Sequence, residues 1–292
     1  MMKPAPFTYH APEALEEALS LLAALGPDAA VLAGGQSLLP LLTMRLATPA
    51  HVIDIGGIQP LDEVTVTPTA VRIGALASQA RVEHDAAVQN GLPLLPQVLR
   101  SVGHPAIRSR GTVVGSLVHA DPAAELPALL VLLGGWVEVV SAAGRRTIAA
   151  ADFFAGPFQP GLGAGELVLA ATFPPPPART GTAFVEVARR HGDFPLCAVA
   201  ASVAVGPDGD VVSARTAYAG VGTAPQLIDV GEAVVGSDPA SLDGGAAGGL
   251  VRDRIDAVAD IHASADYRRH LASVLAARAV GVAASRVGEE DG

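Results

Sequence analysis

The sequence contains little cysteine, few aromatic residues and few charges. Cys197 is its one cysteine in 292 residues, so the chain cannot form an internal disulfide. A single thiolate also excludes an iron–sulfur cluster or a thiolate zinc site held by this chain alone. Cys197 lies in the apolar run LCAVAASVAV, which favours a buried, inert thiol over a nucleophile. Charged residues make up 16% and apolar residues 50%, which is typical of a globular protein.

Positive charge and long apolar runs are scarce as well. The chain has 19 Lys and Arg against 29 Asp and Glu, and its basic residues form no stripe. Because nucleic-acid grooves need clustered cations, we expect no nucleic-acid partner. The most apolar stretch, Leu126–Val140, is interrupted by two glycines and Glu138, and falls short of the roughly 18 residues of a membrane span. The first ten residues contain no apolar signal core, which predicts a cytoplasmic protein without a membrane span.

Several catalytic motifs are missing. There is no G-x-G-x-x-G after a strand, no P-loop, no G-x-S-x-G and no H-E-x-x-H. These absences argue against a Rossmann site, a P-loop nucleotidase, a serine-hydrolase elbow and a zincin. His119, Asp121 and Glu125 are close enough in sequence to be considered as metal ligands. A helix cap at Asp121 followed by a solvated Glu125 explains them more simply, so we predict no metal site on this chain.

Two glycine-containing segments are the most informative features present. They are VLAGGQSLLP at residues 31–40 and RGTVVGSLVHADPAAELP at residues 110–127, with hydroxyls at Ser37, Thr112 and Ser116. Backbone N–H groups at such turns form concave donors for phosphate oxygens, although a single loop of this kind is equally typical of an ordinary tight turn. Two of them, roughly 75 residues apart, indicate a diphosphate held between two substructures. Residue types alone leave the dinucleotide unidentified.

The pattern of apolar residues and turn signals divides the chain in two. The four prolines at residues 174–177 form a stiff linker and mark the predicted domain boundary. Before it, Asp121 and Pro122 predict a helix over 122–133. Beyond it, we predict strands over 183–190, 196–205 and 211–219 and helices over 249–263 and 264–284, with a flexible glycine-rich connection at 243–249. The block RRHGDF at residues 189–194 is either a solvated strand end or a cation and a ring presented at a domain cleft.

Taken together, these segments resemble the flavin-binding medium subunit of the molybdenum hydroxylases, the group that contains carbon monoxide dehydrogenase and xanthine dehydrogenase. The resemblance rests on AGGQSLLP and on the segment T-x-x-G-S-x-x-x-x-DP, and it covers nearly the whole chain. It includes FTYHAPEALEEAL at 7–19, MRLATPAHVIDI at 44–55, RRHGDF at 189–194 and ADYRRHLASVL at 265–275. Single glycine loops are weak signals, but these blocks in this order are specific.

The resemblance implies an α+β fold with two domains. The first, over 1–176, is a two-part FAD-binding domain of the vanillyl-alcohol-oxidase (PCMH) type, with subdomains of about 1–57 and 58–176. The second, over 177–292, is a smaller three-stranded α+β domain. The implied FAD-binding residues are Ala33, Gly34, Gly35, Gln36, Ser37, Leu38, Thr112, Val114, Gly115, Ser116, Asp121, Leu167, Arg190 and Phe194.

The implied roles differ along this set. The backbone of residues 33–37 cradles the FAD diphosphate, and Thr112 and Gly115 belong to the second phosphate-facing loop. Asp121 faces the ribityl and ribose region, Arg190 stands where a basic residue is usual, and Phe194 approaches the isoalloxazine. No catalytic residue is predicted on this chain.

The implied function is electron transfer. In the family, electrons released at a molybdenum centre pass through iron–sulfur clusters to FAD and then to a final acceptor. With one cysteine, the [2Fe-2S] clusters belong to a small partner subunit and the molybdopterin to a large one, in a dimer of heterotrimers. Two other functions stay open: a stand-alone FAD-dependent oxidase or reductase of the same fold, and a nucleotide-binding protein that has lost its flavin.

The second loop departs from the family pattern T-I-G-G-N. Val114 stands at the first family glycine and Ser116 at the asparagine. If the glycine adopts a positive φ, a β-branched Val114 is strained there, and FAD retention is expected to weaken. On that basis Val114→Gly is predicted to raise flavin occupancy.

Overall fold

The computed structural model describes residues 3–288. Short apolar strands alternate with helices at the start of the chain and form a three-stranded parallel sheet in the order β1-β3-β2. Its elements are β1 (Thr8–His10), α1 (Leu15–Leu25), β2 (Ala29–Leu32), α2 (Leu38–Thr43) and β3 (His51–Asp54). Helix α1 buries Ala18, Leu19 and Leu22 on one face, as the 3.6-residue periodicity predicts, and ends at Gly26.

Residues 64–173 form a five-stranded antiparallel sheet in the order β4-β5-β10-β6-β7. Its strands and a small adjoining hairpin are β4 (Val64–Thr67), β5 (Ala70–Gly74), β6 (Trp136–Ser141), β7 (Gly144–Ala149), β8 (Phe154–Gly156), β9 (Gln159–Pro160) and β10 (Leu167–Phe173). The helices are α3 (Gln79–His84), α4 (Ala86–Gly91), α5 (Leu94–Ser101), α6 (Pro105–Arg108), α7 (Val113–His119), α8 (Glu125–Leu132) and α9 (Ala150–Phe153). Strand β10 is buried along its whole length, which its unbroken run LVLAATF predicts for a central strand.

After the four prolines the chain forms an antiparallel meander in the order β11-β12-β13-β14. It consists of β11 (Thr180–Ala188), β12 (Pro195–Val205), β13 (Val211–Ala219) and β14 (Gln226–Asp229), followed by α10 (Gly245–Arg254) and α11 (Ala265–Ser285). The prediction of three strands in this domain is therefore wrong by one. Strand β14 is four residues long and buries only Ile228, so it carries too short an alternation to be recognised from sequence. Cys197 is fully buried in β12, as predicted, and burial raises the pKa of its thiol to about 12.

The glycine-rich stretch at residues 243–249 was predicted to be a flexible connection, but the structure packs it closely against helix α11. A Cβ on Gly244 would overlap the carbonyl of Ala277, and one on Gly248 would lie 2.5 Å from the carbonyl oxygen of Ser273. Both neighbours belong to α11, so the absent side chains let α10 approach that helix closely. Helix α10 consequently covers Gly245–Arg254 instead of the predicted 249–263.

The two halves of the chain are joined by direct contacts. The Gln97 amide donates to the carbonyl of Phe184 at 3.2 Å, and Arg286 donates to Gln97 at 3.3 Å and to the carbonyl of Thr182 at 3.0 Å. Gly181, at the start of β11, packs so closely on the end of α11 that a Cβ there would overlap the Ala283 carbonyl. Among residues 3–288, no helix combines the length and hydropathy that crossing a membrane requires.

Candidate functional site

A cleft of about 570 Å³ is lined by residues of the parallel sheet, of the five-stranded sheet and of the segment between β11 and β12. Two of its walls are the loop that follows β2, at residues 33–37, and the loop that leads into α7, at residues 110–116. We call these the first and second glycine loops. Every residue expected to bind FAD lines this cleft except Arg190. The structure thus brings the two segments singled out in the sequence together in the lining of one cavity.

The first glycine loop depends on glycine at two positions. Gly35 has a φ of +74°, the left-handed region that side chains rarely adopt. At Gly34 a Cβ would overlap the carbonyl oxygen of Arg110, so the two loops touch backbone to backbone. The side-chain amide of Gln36 donates to the Gly34 carbonyl at 3.2 Å and holds the turn. Helix α2 starts directly after Ser37, so the loop opens into a helical turn.

The second glycine loop is built on a helix cap. Thr112 is the N-cap of α7, and its hydroxyl oxygen accepts a hydrogen bond from the backbone N–H of Gly115 at 2.9 Å. A Cβ on Gly115 would lie 2.6 Å from that hydroxyl oxygen, which is why glycine suits the position. Val114 lies inside α7 and is 3% exposed.

The expectation of strain at Val114 is wrong. The non-glycine residues with positive φ among those described are Arg45, Ala120, Phe158 and Arg179, and Val114 is not one of them. Because its backbone is helical, the reason for expecting Val114→Gly to raise flavin occupancy disappears. The left-handed residue is instead Ala120, which ends α7.

Three carboxyl groups, those of Asp121, Glu125 and Glu166, and no Lys or Arg side chain line the cleft among residues 3–288. Asp121 accepts a hydrogen bond from the backbone N–H of Ala123 at 2.9 Å. It forms this turn rather than capping a helix directly, so α8 begins at Glu125 and not at the predicted Pro122. Glu166 is clamped by Arg146 through two contacts of 2.7 Å, and this ion pair lowers the pKa of the carboxyl.

Glu125 differs from its sequence-based interpretation as a solvated side chain. It is 3% exposed, and burial, reinforced by the nearby Glu186 and Asp121, raises its pKa to about 8. A neutral carboxylic acid therefore faces the cleft at pH 7. Burial likewise lowers the pKa of His119, whose ring centroid lies 5.1 Å from that of Phe158. The described residues contain no group of three or more His, Cys, Asp or Glu side chains placed to hold a metal ion.

The RRHGDF block reaches the cleft only in part. Gly192, with a φ of +83°, packs on the carbonyl of Gly103, and a Cβ there would lie 2.8 Å from that oxygen. Phe194 stands at the cleft edge with 58% of its surface exposed. Arg189 faces Asp193 at 3.9 Å, and Arg190 is exposed outside the lining. Of the two interpretations of this block, the structure supports a ring at the cleft and does not bring the Arg190 cation there.

Sequence reasoning missed part of the lining, including Gln79, Val102, Gly103 and Ile107. Gln79 is 4% exposed, and its side-chain oxygen has no hydrogen-bond partner. It opens α3, far in sequence from both glycine loops, and no local motif marks it. Gly103 and Gly192 form a contact between distant segments, which periodicity cannot reveal.

These features fit the diphosphate of a dinucleotide such as FAD. The two loops meet at Gly34, where a Cβ would overlap the Arg110 carbonyl, and a Cβ on Gly115 would crowd the Thr112 hydroxyl, so glycine at both positions lets the two loops keep their close packing beside the cleft. Backbone N–H groups, hydroxyls and amides supply hydrogen-bond donors in both loops. Its volume of about 570 Å³ and its apolar walls, which include Leu38 and Leu167, suit a flavin and an adenine.

Comparison with known proteins gives the same assignment. The family model described as the FAD binding domain in molybdopterin dehydrogenase matches residues 5–176, and that of the CO dehydrogenase flavoprotein C-terminal domain matches residues 182–283. Caffeine dehydrogenase subunit beta from Pseudomonas sp. (strain CBB1) is 37% identical, with 98% of this chain and 97% of the relative covered. The carbon monoxide dehydrogenase medium chain of Afipia carboxidovorans is 34% identical, with 98% and 99% covered.

A solved structure extends the match to three dimensions. Quinoline 2-oxidoreductase from Pseudomonas putida 86 contains a chain that superposes with a TM-score of 0.92 at 36% identity, covering 98% of this chain and 99% of the other. Both family models, the full-length relatives and the cleft agree. The chain therefore belongs to the family of FAD-binding subunits of the molybdenum hydroxylases.

Proposed function

We propose that this protein is the electron-transferring medium subunit of a molybdenum hydroxylase. In this role it passes electrons from iron–sulfur clusters on a partner subunit, through FAD, to a final acceptor. Bound FAD supplies one- and two-electron redox chemistry, while the protein binds the cofactor, orients it and shields it from water. The proposed domain limits are residues 1–176 for FAD binding and 177–292 for the smaller domain.

The observation that supports this proposal most directly is the composition of the cleft. Its lining combines two glycine loops with apolar walls, and residues 3–288 contain no group of three or more His, Cys, Asp or Glu side chains placed to hold a metal ion. An electron-transfer subunit needs a site that binds and orients a cofactor, whereas substrate hydroxylation needs a reactive centre of its own. The full-length relatives are described as subunits, which agrees with a role inside a complex.

Specific roles follow for the predicted residues. We propose that the backbone of residues 33–37 and the Thr112–Ser116 turn bind the diphosphate, and that Asp121 binds the ribityl or ribose hydroxyls. Phe194, exposed at the edge of the cleft, is proposed to contact the isoalloxazine. Val114, Leu38 and Leu167 supply apolar walls. Arg190 is given no direct role, because it lies outside the lining.

The proposed partners are a small iron–sulfur subunit and a large molybdopterin subunit. One cysteine cannot hold an iron–sulfur cluster, so the electron donor has to belong to another chain. We propose that the three chains form a heterotrimer that dimerises.

The test is purification of the tagged chain from its native host, followed by a visible spectrum and metal analysis. Flavin bands together with iron and molybdenum in two co-purifying chains are the expected result. A lone chain that contains flavin and oxidises or reduces a small substrate without partners would contradict the proposal and identify an independent flavoenzyme.

A further inference from the structure

The carboxyl group of Glu186, in the second domain, has no part in the site described so far. Its Oε2 atom is buried and makes no hydrogen bond within residues 3–288. An ionised carboxylate oxygen only accepts hydrogen bonds, so burying it without a donor costs free energy, and the cost is much smaller for the neutral acid. This environment therefore favours a proton on Glu186 or on a carboxyl group close to it.

The alternation of side chains along β11 points Glu186 toward the FAD-binding domain. Phe184, two residues earlier, packs in the same core cluster as that domain, whereas Val185 and Val187 pack against the core of the second domain. Because side chains alternate between the two faces of a strand, Glu186 shares the face of Phe184. The carboxyl group therefore lies at the interface between the two domains.

The strand register brings Glu186 near the segment that leads into α8. Glu186 pairs with Ala198, and Ala198 pairs with Ala219 on the next strand. The backbone N–H that follows, at Gly220, donates to the carbonyl of Pro122 at 2.8 Å. Neighbouring strands are about 4.8 Å apart, so the backbone of Glu186 lies about 10 Å from this contact.

Glu125 is the first residue of α8, three residues beyond Pro122. It is 3% exposed and lines the cleft. Burial, and then the charge of Glu186, raise the pKa of Glu125 to about 8, while burial raises the pKa of Glu186 to about 7 against the opposing effect of the Ser101 hydroxyl. Two neighbouring acids titrate as a pair, because a proton on either one removes the repulsion that the other experiences.

The groups around this pair, within residues 3–288, supply no neutralising cation. Asp121, in the turn before α8, adds a negative charge that raises the pKa of Glu125 further. Arg100 in α5 and Arg215 in β13 are exposed, and Arg286 is hydrogen-bonded near the start of β11. The remaining titratable side chains on the elements that pack against α8 are His119, whose pKa burial lowers, the exposed Asp152 and Asp229, and Cys197 and Tyr218, which are buried in the core of the second domain.

The pair is therefore placed to respond to charge in the cleft. A two-electron reduction that binds one proton leaves a cofactor with one additional negative charge. A negative charge in the cleft raises the proton affinity of an acid that lines it, because the ionised acid is repelled.

We propose that Glu125 and Glu186 form an acid pair that takes up a proton from solvent when the bound flavin is reduced. In this step one carboxylate of the pair and one proton become one carboxylic acid, while the electrons come from the iron–sulfur donor of the proposed complex. The inference rests on the proposed electron-transfer function and adds that electron uptake is coupled to a proton on this chain.

The test measures the midpoint potential of bound FAD on the full-length chain between about pH 6 and pH 9, with an electrode as the electron source. Near pH 6 the pair is largely neutral in both redox states, whereas near pH 9 it is largely ionised while the flavin is oxidised. We expect Glu125→Gln and Glu186→Gln to leave the potential near pH 6 unchanged. Above about pH 7 both should make the potential fall less steeply with pH, because glutamine stays neutral.

Glu166→Gln is the matched control. Glu166 also lines the cleft, but its ion pair with Arg146 lowers its pKa, so it is charged at both ends of this pH range. Its removal should shift the potential by the same amount near pH 6 and near pH 9, and leave the pH dependence as it is.

Infrared difference spectroscopy of the unaltered chain supplies a readout that needs no variant. Near pH 8, reduction of the flavin should convert a carboxylate band into the band of a protonated carboxyl group. This signal reports the proton on the pair directly and does not depend on whether a substituted chain folds.

Three results would overturn the inference. Equal pH dependence in the two glutamine variants and the unaltered chain, or no protonated carboxyl band on reduction, would exclude the proton uptake. A change in Glu125→Gln alone would show that Glu125 acts by itself and would refute the pair. Failure of the unaltered chain to bind FAD would overturn the assignment of the cleft, whereas purification without the proposed partner subunits would overturn the proposed complex and leave these potentials unaffected.

Discussion

The two glycine loops line the same cleft, yet they are constructed differently. The first uses the conformational freedom of Gly35 and the close approach of Gly34 to Arg110. The second uses a threonine cap and a helix, with Gly115 making room for the cap hydroxyl. Residues 31–42 contain no titratable side chain, whereas the second loop continues into His119, Asp121 and Glu125.

This difference shows that a donor-rich turn can come from a glycine in the left-handed region or from a regular helix start. It also separates the physical properties of the two walls. FAD affinity should be most sensitive to added side-chain volume in the first glycine loop. Stability should depend on pH and on the Thr112 hydroxyl in the segment that contains the second glycine loop. Three substitutions test this contrast.

Gly34→Ala is expected to have the largest effect. Its Cβ would overlap the Arg110 carbonyl, and backbone atoms cannot yield as a flexible side chain can. Overpacking of this kind costs roughly 1–3 kcal/mol, and separating the loops should weaken FAD binding by about 100-fold. The control is Gly249→Ala in α10, where nothing lies within 4 Å of the new Cβ. Equal FAD affinities in fluorescence titrations of the two variants would contradict the close-contact explanation.

The pH dependence of stability should come from the second wall. Burial raises the pKa of the Glu125 carboxyl from its ordinary value of 4.5 to about 8 in the folded chain. Because the folded chain keeps a proton that the unfolded chain loses, stability falls as pH rises between these two values. Each pKa unit is worth about 1.4 kcal/mol, so raising the pH from 6 to 8 should cost about 2 kcal/mol.

Glu125→Gln should abolish this decrease in the free energy of unfolding between pH 6 and pH 8, measured by denaturant unfolding of the flavin-free chain. Glu166→Gln is the contrasting variant. Its ion pair with Arg146 lowers its folded pKa, so the native carboxylate contributes stability above its unfolded pKa and loses it as pH falls. Identical pH profiles for the Glu125→Gln variant and the unaltered chain would refute a buried neutral acid.

Thr112→Val should have the smallest effect of the three. It removes the hydroxyl that accepts from Gly115 at nearly constant shape, and loss of an N-cap costs about 1 kcal/mol. Thr112→Ser should restore most of the stability. Ser264→Ala removes the cap of α11, far from the cleft, and should cost similar stability without weakening FAD binding. Equal FAD affinities in the Thr112→Val and Ser264→Ala variants would show that the second loop acts through stability alone.

The sequence predicted those parts of the site that depend on local signals. Glycines beside hydroxyls marked both loops, and apolar periodicity located α1, β10 and most of the second domain. The features it missed depend on contacts between distant segments. Gln79 lines the cleft because the start of α3 is hydrogen-bonded to the second glycine loop, a contact that the sequence does not reveal. Glu125 is an acidic residue, which sequence reasoning expects at the surface, but the structure buries it.

Two errors came from applying a local rule where the tertiary structure decided otherwise. The Asp-Pro pair at 121–122 is a familiar helix start, but here it forms a separate turn before α8. A family glycine at the position of Val114 indicated a positive φ, whereas the backbone there is helical. In both cases the local pattern was compatible with a second conformation, and the structure adopts that one.

The contact between Gly181 and the end of α11 has a consequence for how the second domain can be engineered. It places the first strand of the domain, β11, against its last helix, α11. Arg286 donates hydrogen bonds to the Thr182 carbonyl within the domain and to the Gln97 side chain in the FAD-binding domain. The first and last elements of the second domain are therefore in contact with each other. Such units tolerate circular permutation and transplantation, because a short connector can replace either end without stretching the chain.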